Sequence, residues 1–263
     1  MRTLGEHAWI ARLLGRRILR VNLSDVAAMG GDALAALVSV EAPRRLPVRV
    51  LDGVMRGLAA DAGRHGVDVV GGNLAAAPRL AITVTLLGQA GRRLATRAGA
   101  RPSDDVWLTG TIGGAGCAVR TLLAGRPGRR PGVPVRLDAG RALAPLVHAM
   151  IDVSDGLLQD LGHVCRASGV AAEVGAATLP VAGACRRALG ARALGFAATA
   201  GEDYELLLTA PPRRRSRLAH LASRLGCRLT RIGRVVAGRP IVRLLDASGR
   251  PLALRRTGFD HFR

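Results

Sequence analysis

The sequence predicts an α/β (α+β) fold with two sheet-bearing domains, and three observations carry that expectation. Short β-branched-rich runs alternate with segments of helical period along the chain, so helices are expected to cover one face of each sheet. At 263 residues and 49% hydrophobic content the chain buries a large core, and two domains suit that length better than one. The stretch AGARPSD, Ala98 to Asp104, breaks the alternation and separates a domain over 1–102 from one over 103–263.

In order, residues 1–20 form an Arg-rich amphipathic lead-in, and Val21 to Gly30 is expected to be a polar turn. Ala33 to Ala42 contains a strand closed by Pro43. Pro47 to His65 has helical period and stops at Gly66. Val67 to Asn73 reads as a short buried strand running into a Gly-Gly turn, and Leu80 to Gly88 as another strand. Beyond the boundary, Val106 to Gly110 is a strand. A Gly-rich turn, Thr109 to Gly116, leads into a helix from Cys117 to Ala124. Such a turn either presents N–H groups to phosphate or serves close helix packing. Arg126 to Val135 is a loop, and Asp138 to His148 a helix. The remainder alternates: a short helix at Arg186 to Leu189, a strand at Tyr204 to Ala210, a helix at Arg213 to Leu225, and strands at Leu229 to Val236 and Ile241 to Leu245.

Composition excludes several functions. No apolar run is long enough to span a membrane, and the N-terminus lacks a secretory signal's apolar core. Four widely spaced cysteines without a CxxC argue against a zinc site and fit reduced thiols in the cytoplasm. The net charge of +20 invites a nucleic-acid reading, but every one of the 39 basic residues is Arg. The clusters at 44–45, 129–130 and 213–215 lack interleaved aromatics, so a solvated basic surface is the better reading, with neither nucleic acid nor membrane as partner. The missing lysine rules out a Walker A loop, a protein-kinase site and Schiff-base chemistry. Any phosphoryl chemistry must therefore rely on metal ions and arginine.

Two Ser-Asp segments carry the chemistry. In Met150 to Leu161 apolar residues run into Asp152, Ser154, Asp155 and Gly156, the pattern of a strand ending in a polar turn whose Asp155 opens a helix as N-cap. Asp152 and Asp155 can aim oxygens into one small volume, as a hard cation requires. A similar segment, Asn22 to Gly30, contains Ser24 and Asp25. The pair reads either as two helix caps or as two walls of one metal–phosphate site.

With the segment GEDYELL at Gly201 to Leu207, these motifs resemble thiamine-monophosphate kinases, of the aminoimidazole ribonucleotide synthetase-like superfamily. VNLSDVAAMGG, GVDVVGGN, ITVTLLG, TRAGA, WLTG, MIDVSDGL, SGV, AGEDYELLLT, IGRV and GFDHF stand in family order from Val21 onward. The resemblance implies an N-terminal sheet domain that dimerises, a C-terminal α/β domain, and transfer of the ATP γ-phosphoryl group to thiamine monophosphate. It implies Mg²⁺ held by Asp25, Asp152 and Asp155 with Asn73 at a further metal position. ATP would meet Gly72, Asn73, Arg97 and Ser154, and the substrate Glu202 and Phe259. The acceptor is already an anionic phosphate, so no general base is required. The family also begins with a Gly-Asp-Asp-Ala motif and a Thr-Thr-Asp strand that Met1 to Arg20 does not reproduce, so an N-terminal segment is expected to be missing or misassigned. Where the family has Asp after Gly-Gly, this chain has the uncharged Asn73. A non-catalytic nucleotide-binding remnant and a basic nucleic-acid-binding module are the competing readings.

Overall fold

The computed structural model describes residues 4–125, 132–254 and 256–259. The arginines at 129–130 and residues 260–262 of the terminal motif therefore lie outside it. Two sheets organise the chain. The first has three strands in the order β2-β1-β3, with β1 at Asp32–Ala42, β2 at Asp68–Ala76 and β3 at Ala81–Gln89. The second has six in the order β5-β7-β4-β8-β6-β9: β4 (Asp105–Thr109), β5 (Ala149–Asp152), β6 (Ala171–Gly175), β7 (Leu206–Ala210), β8 (Leu229–Val236) and β9 (Val242–Leu245). Its central strands β4 and β7 are buried throughout, so apolar residues occupy both faces of each, with Asp105, Thr109 and Thr209 the buried polar exceptions.

The N-terminal sheet is covered on one face by α1 (Leu4–Met29) and α2 (Val48–His65). Leu19, Leu23 and Leu58 pack there against Ala36, Val38 and Val40 of β1. One turn further along α1 the partners change: Ala27 and Ala28 join Trp107, Met150, Leu206 and Leu208 in a core of the second sheet. One helix thus belongs to both cores. The polar turn expected at Val21 to Gly30 is instead the end of this helix, because Leu19, Leu23 and Ala27 continue an apolar stripe at i, i+4, i+8. The expected strand at Val67 to Asn73 also differs. Gly71 and Gly72 lie inside β2, paired with Leu37 and Val38, and every residue of β2 is exposed. Leu37, Val70, Leu74 and Leu87 accordingly leave an open apolar face on this sheet.

Elsewhere the boundaries move by a few residues. The helix expected from Cys117 begins at Gly114 (α3, Gly114–Leu123). That expected from Asp138 to His148 is α4 (Leu137–Leu143) followed by a short 3₁₀ turn that includes Pro145. Then follow α5 (Leu157–Ser168), α6 (Gly183–Leu189), α7 (Ala193–Thr199) and α8 (Arg215–Arg224). No helix among the described residues is long and apolar enough to cross a membrane, and all four cysteines are free thiols.

Where α1 crosses α2, a Cβ on Gly57 would overlap the Arg12 carbonyl and one on Gly15 the Val54 carbonyl. A Gly57→Ala change gains at most about 1 kcal/mol in helix propensity. It forces two backbones apart, an overpacking cost of about 1–3 kcal/mol. Net destabilisation is expected, read as a lower urea midpoint; an unchanged or higher midpoint would contradict the close crossing.

Candidate functional site

The site grows from the antiparallel pairing of β5 with β7. Asp152 lies opposite Leu206, so the loop leaving β5 runs beside the loop entering β7. Backbone bonds lace the two together. Val153 N–H donates to the Glu205 carbonyl (2.9 Å), Tyr204 N–H to Val153 (2.8 Å), and Glu202 N–H to Ser154 (2.8 Å). Gly201 packs so tightly on the Ser154 carbonyl that no Cβ fits. Glu202 and Tyr204 are left-handed at φ 75° and 51°, at about 1–3 kcal/mol each. This backbone is why the strand begins at Leu206 and not at Tyr204.

The α1 end meets this turn. Ser24 Oγ donates to Asp152 Oδ2 at 2.6 Å, joining the two Ser-Asp segments across 128 residues of sequence. Burial pushes the Asp152 carboxyl up to about 6; the Ser24 bond opposes the shift, and the charges of Asp25 and Asp155 add to it. Asp25 is exposed as a residue, yet partial desolvation raises its carboxyl pKa as well.

Asp155 does not cap α5. The cap position is Gly156, without a side-chain bond. Asp160 reaches back from the first turn and accepts the N–H groups of Asp155 (3.1 Å) and Gly156 (3.0 Å). Burial, with the nearby Asp155 and Asp152 charges, pushes Asp160 up to about 7. Ligand atoms of Asp155, Asp160 and His163 lie within 4.8 Å of one another. Clustered carboxylates that repel one another's charge, with oxygen donors dominant, suit a hard divalent cation such as Mg²⁺. The residues present fit that ion.

A cleft of about 720 Å³ opens from this cluster. Ser154 and Asp155 stand in its wall, Phe196 and Phe259 supply apolar surface, and Glu202 and Tyr204 line another side. Phe259 N–H donates to the Asp155 carbonyl (2.8 Å), anchoring the terminal segment on the turn after β5. Arg97 is exposed and lies near enough to His163 to help depress its pKa, after burial and Arg166. Gly72 and Asn73 sit apart on exposed β2, where Asn73 pairs with Ser39. Among the described residues, neither has a hydrogen bond or ion pair to the acid cluster.

The Gly-rich turn is filled by protein. The Asp203 carboxylate accepts Gly113 N–H (2.7 Å) and lies 3.4 Å from Ala115 N, so close helix packing is the reading that holds. Beside it, Glu205 is gripped by both nitrogens of an Arg136 fork at 2.8 Å and accepts a bond from Thr109 Oγ1 (2.7 Å).

Residues 6–90 match the AIR synthase related protein N-terminal domain, and residues 101–245 its C-terminal domain. The chain is 34% identical over 271 residues to a thiamine-monophosphate kinase of Salmonella typhimurium, covering 95% of this chain and 80% of that relative. The chain belongs to the thiamine-monophosphate kinase family. The crystal structure of the Stenotrophomonas maltophilia K279a kinase matches with a TM-score of 0.83 at 35% identity, over 92% of this chain and 80% of that one. The structure of AaThiL complexed with AMPPCP and TMP also matches at 0.83, with 28% identity over 97% of this chain and 82% of that chain. The two-sheet α/β architecture is the one this family shares.

Sequence reasoning about the family missed Asp160, His163 and Arg17. Asp160 and His163 had a signal, since an acid four positions and a histidine seven positions after Gly156 share a helix face with the turn.

Asp160 also supplies a pH test. Its carboxyl ordinarily titrates at 3.8 and in the fold at about 7, so between those values the folded state holds a proton that the unfolded state has released. Its contribution to stability is then lost as pH rises towards 7. Asp160→Asn keeps an acceptor for both N–H groups and carries no charge. In chelator, the variant should gain stability over the parent between pH 5 and pH 8 in denaturant unfolding, and added Mg²⁺ should narrow the difference. A difference that does not change with pH would contradict this picture.

Proposed function

We propose that this chain transfers the γ-phosphoryl group of ATP to the phosphate of thiamine monophosphate, giving thiamine diphosphate and ADP by direct in-line transfer. The observation that carries the reading is the cleft that joins a carboxylate cluster to an aromatic wall, lined by Ser154, Asp155, Glu202 and Phe259. Its walls suit a substrate with a phosphate at one end and a cationic aromatic ring at the other. Kinship with thiamine-monophosphate kinases over 95% of the chain supports the same substrate.

Asp25, Asp152 and Asp155 would hold Mg²⁺, with Asn73 at a further position of weaker charge. When bound, the ion neutralises phosphate charge and orients the reacting groups. Ser24 orients Asp152 through its 2.6 Å bond, and Asp160 holds the backbone of the turn. Ser154, Gly72, Asn73 and Arg97 are assigned to ATP, with Arg97 offsetting anionic charge. Glu202 faces the cationic ring and Phe259 packs against it. No residue needs to remove a proton from the acceptor, which is already an anion at neutral pH. The open apolar face of the N-terminal sheet, with Val70 at 60% and Leu74 at 65% exposure, supports a homodimer formed there. We assign residues 1–102 to the ATP-binding and dimerising domain, residues 103–263 to the C-terminal domain, and the enzyme to the cytoplasm.

Purified chain with Mg-ATP and thiamine monophosphate should form thiamine diphosphate, measured by chromatography. Asp155→Ala should lower kcat/KM by about 100-fold or more, since it removes several kcal/mol of charge stabilisation. No product from the parent, with nucleotide still bound, would instead support a non-catalytic remnant. Phe259→Ala should raise KM for thiamine monophosphate by about 10-fold, through the loss of about 1–2 kcal/mol of apolar contact, with KM for ATP unchanged. Equal rises in both KM values would remove Phe259 from the acceptor site.

A further inference from the structure

We propose that Arg17, on α1, sets acceptor specificity: it clamps Glu202 and Tyr204 and offsets the Glu202 charge, so the cleft prefers a phosphorylated thiazolium to the bare cation. The inference rests on the kinase reading above.

Arg17 Nη2 lies 2.6 Å from Glu202 Oε2, and its guanidinium carbon is 5.5 Å from the centroid of the Tyr204 ring. The Arg17 side chain is only 20% exposed and that of Glu202 38%, so the pair is partly withdrawn from water. A planar guanidinium can satisfy a carboxylate and an aromatic face together, which an ammonium cannot do as well.

Two consequences follow, one of geometry and one of charge. Glu202 and Tyr204 both hold left-handed backbone, a conformation that persists only where surroundings over-determine it. The Ser154 and Val153 carbonyls hold their N–H groups, and Arg17 holds their side chains. Arg17 lies eight positions before Asp25 on one continuous helix, about 12 Å along its axis. The same rod therefore sets the spacing between the acceptor wall and the carboxylates.

The charge argument separates two ligands. Glu202 and Asp155 both line the cleft, and without a nearby counter-charge they would favour any cation, phosphorylated or not. Arg17 offsets part of the Glu202 charge at the end of the cleft that meets the ring. Thiamine monophosphate spans both ends and depends on the spacing that Arg17 holds, whereas thiamine, which lacks phosphate, must compete with Arg17 for Glu202.

The test compares the parent, Arg17→Met and Arg17→Lys by KM for thiamine monophosphate, KM for ATP and the inhibition constant of thiamine. Arg17→Met should raise KM for thiamine monophosphate by about tenfold and tighten thiamine inhibition, with KM for ATP within about twofold. Opposite movement of the two ligands is the signature, because a merely loosened cleft weakens both. Arg17→Lys keeps the charge without the plane, so thiamine inhibition should stay at the parent value while KM for thiamine monophosphate rises partway. Unchanged constants in Arg17→Met, or a parallel weakening of both ligands, would overturn the proposal. If Arg17→Met does not fold, an unchanged KM for thiamine monophosphate in Arg17→Lys overturns it. A parent chain that forms no thiamine diphosphate counts against the kinase reading alone. Thermal-shift titrations with thiamine monophosphate and with thiamine then read the ligand preference directly.

Discussion

The hydrogen bond from Ser24 to Asp152 is the interaction on which the rest of the site depends. It is buried, it carries the charge of a carboxylate, and it joins the last turns of α1 to the end of β5. Charge-assisted bonds of this kind contribute about 1.5–3 kcal/mol. Its larger effect is geometric, because α1 packs Leu19 and Leu23 into one core and Ala27 and Ala28 into the other. A helix shared between two cores has little freedom to shift. Whatever α1 carries, Arg17, Ser24 and Asp25 alike, is therefore held in register with the second sheet.

Electrostatics sets the turn after β5, with Asp203 of the neighbouring loop, apart from the arginine-paired acids. Several other buried acids are answered by arginine: Asp61 by Arg20, Asp105 by Arg215 and Arg231, Glu205 by Arg136, while Asp104 meets His148 and Asp203 meets backbone N–H groups. Asp152 and Asp160 are met by a hydroxyl and by backbone N–H groups. In a chain with 39 arginines and a net charge of +20, leaving arginine out of that contact is a costly arrangement. A bound divalent cation would relieve it. The loop entering β7 adds a second cost in the left-handed Glu202 and Tyr204, and backbone bonds to the first loop hold it in place.

Much of the fold was legible in local pattern. α2 and its Gly66 stop, β1 and β3 follow from period and punctuation, since each has an apolar side repeating at the spacing of its own backbone. The failures have physical causes. Val21 to Gly30 reads as a turn because Asn, Ser and Asp favour turns, but in α1 the apolar stripe prevails over that propensity. β2 reads as buried because it is apolar, while every residue of this edge strand is exposed. Asp155 reads as a cap from its position before a helix, yet Asp160 performs that task from inside the helix.

The sequence by itself determined the residue types and their order: the Ser-Asp pairs, the GEDYE segment, the absence of lysine, and hence metal ions and arginine as the only means of managing phosphate charge. Local spacing could place Asp152 beside Asp155 because three residues of chain constrain both. Only tertiary structure decided that Asp25 comes near Asp152 and that Asp203 fills the Gly-rich turn. It also selected Arg17, among many arginines, to reach Glu202. Those pairings span 90 to 185 residues, and over such separations they are set by strand register and helix packing, which no local pattern encodes.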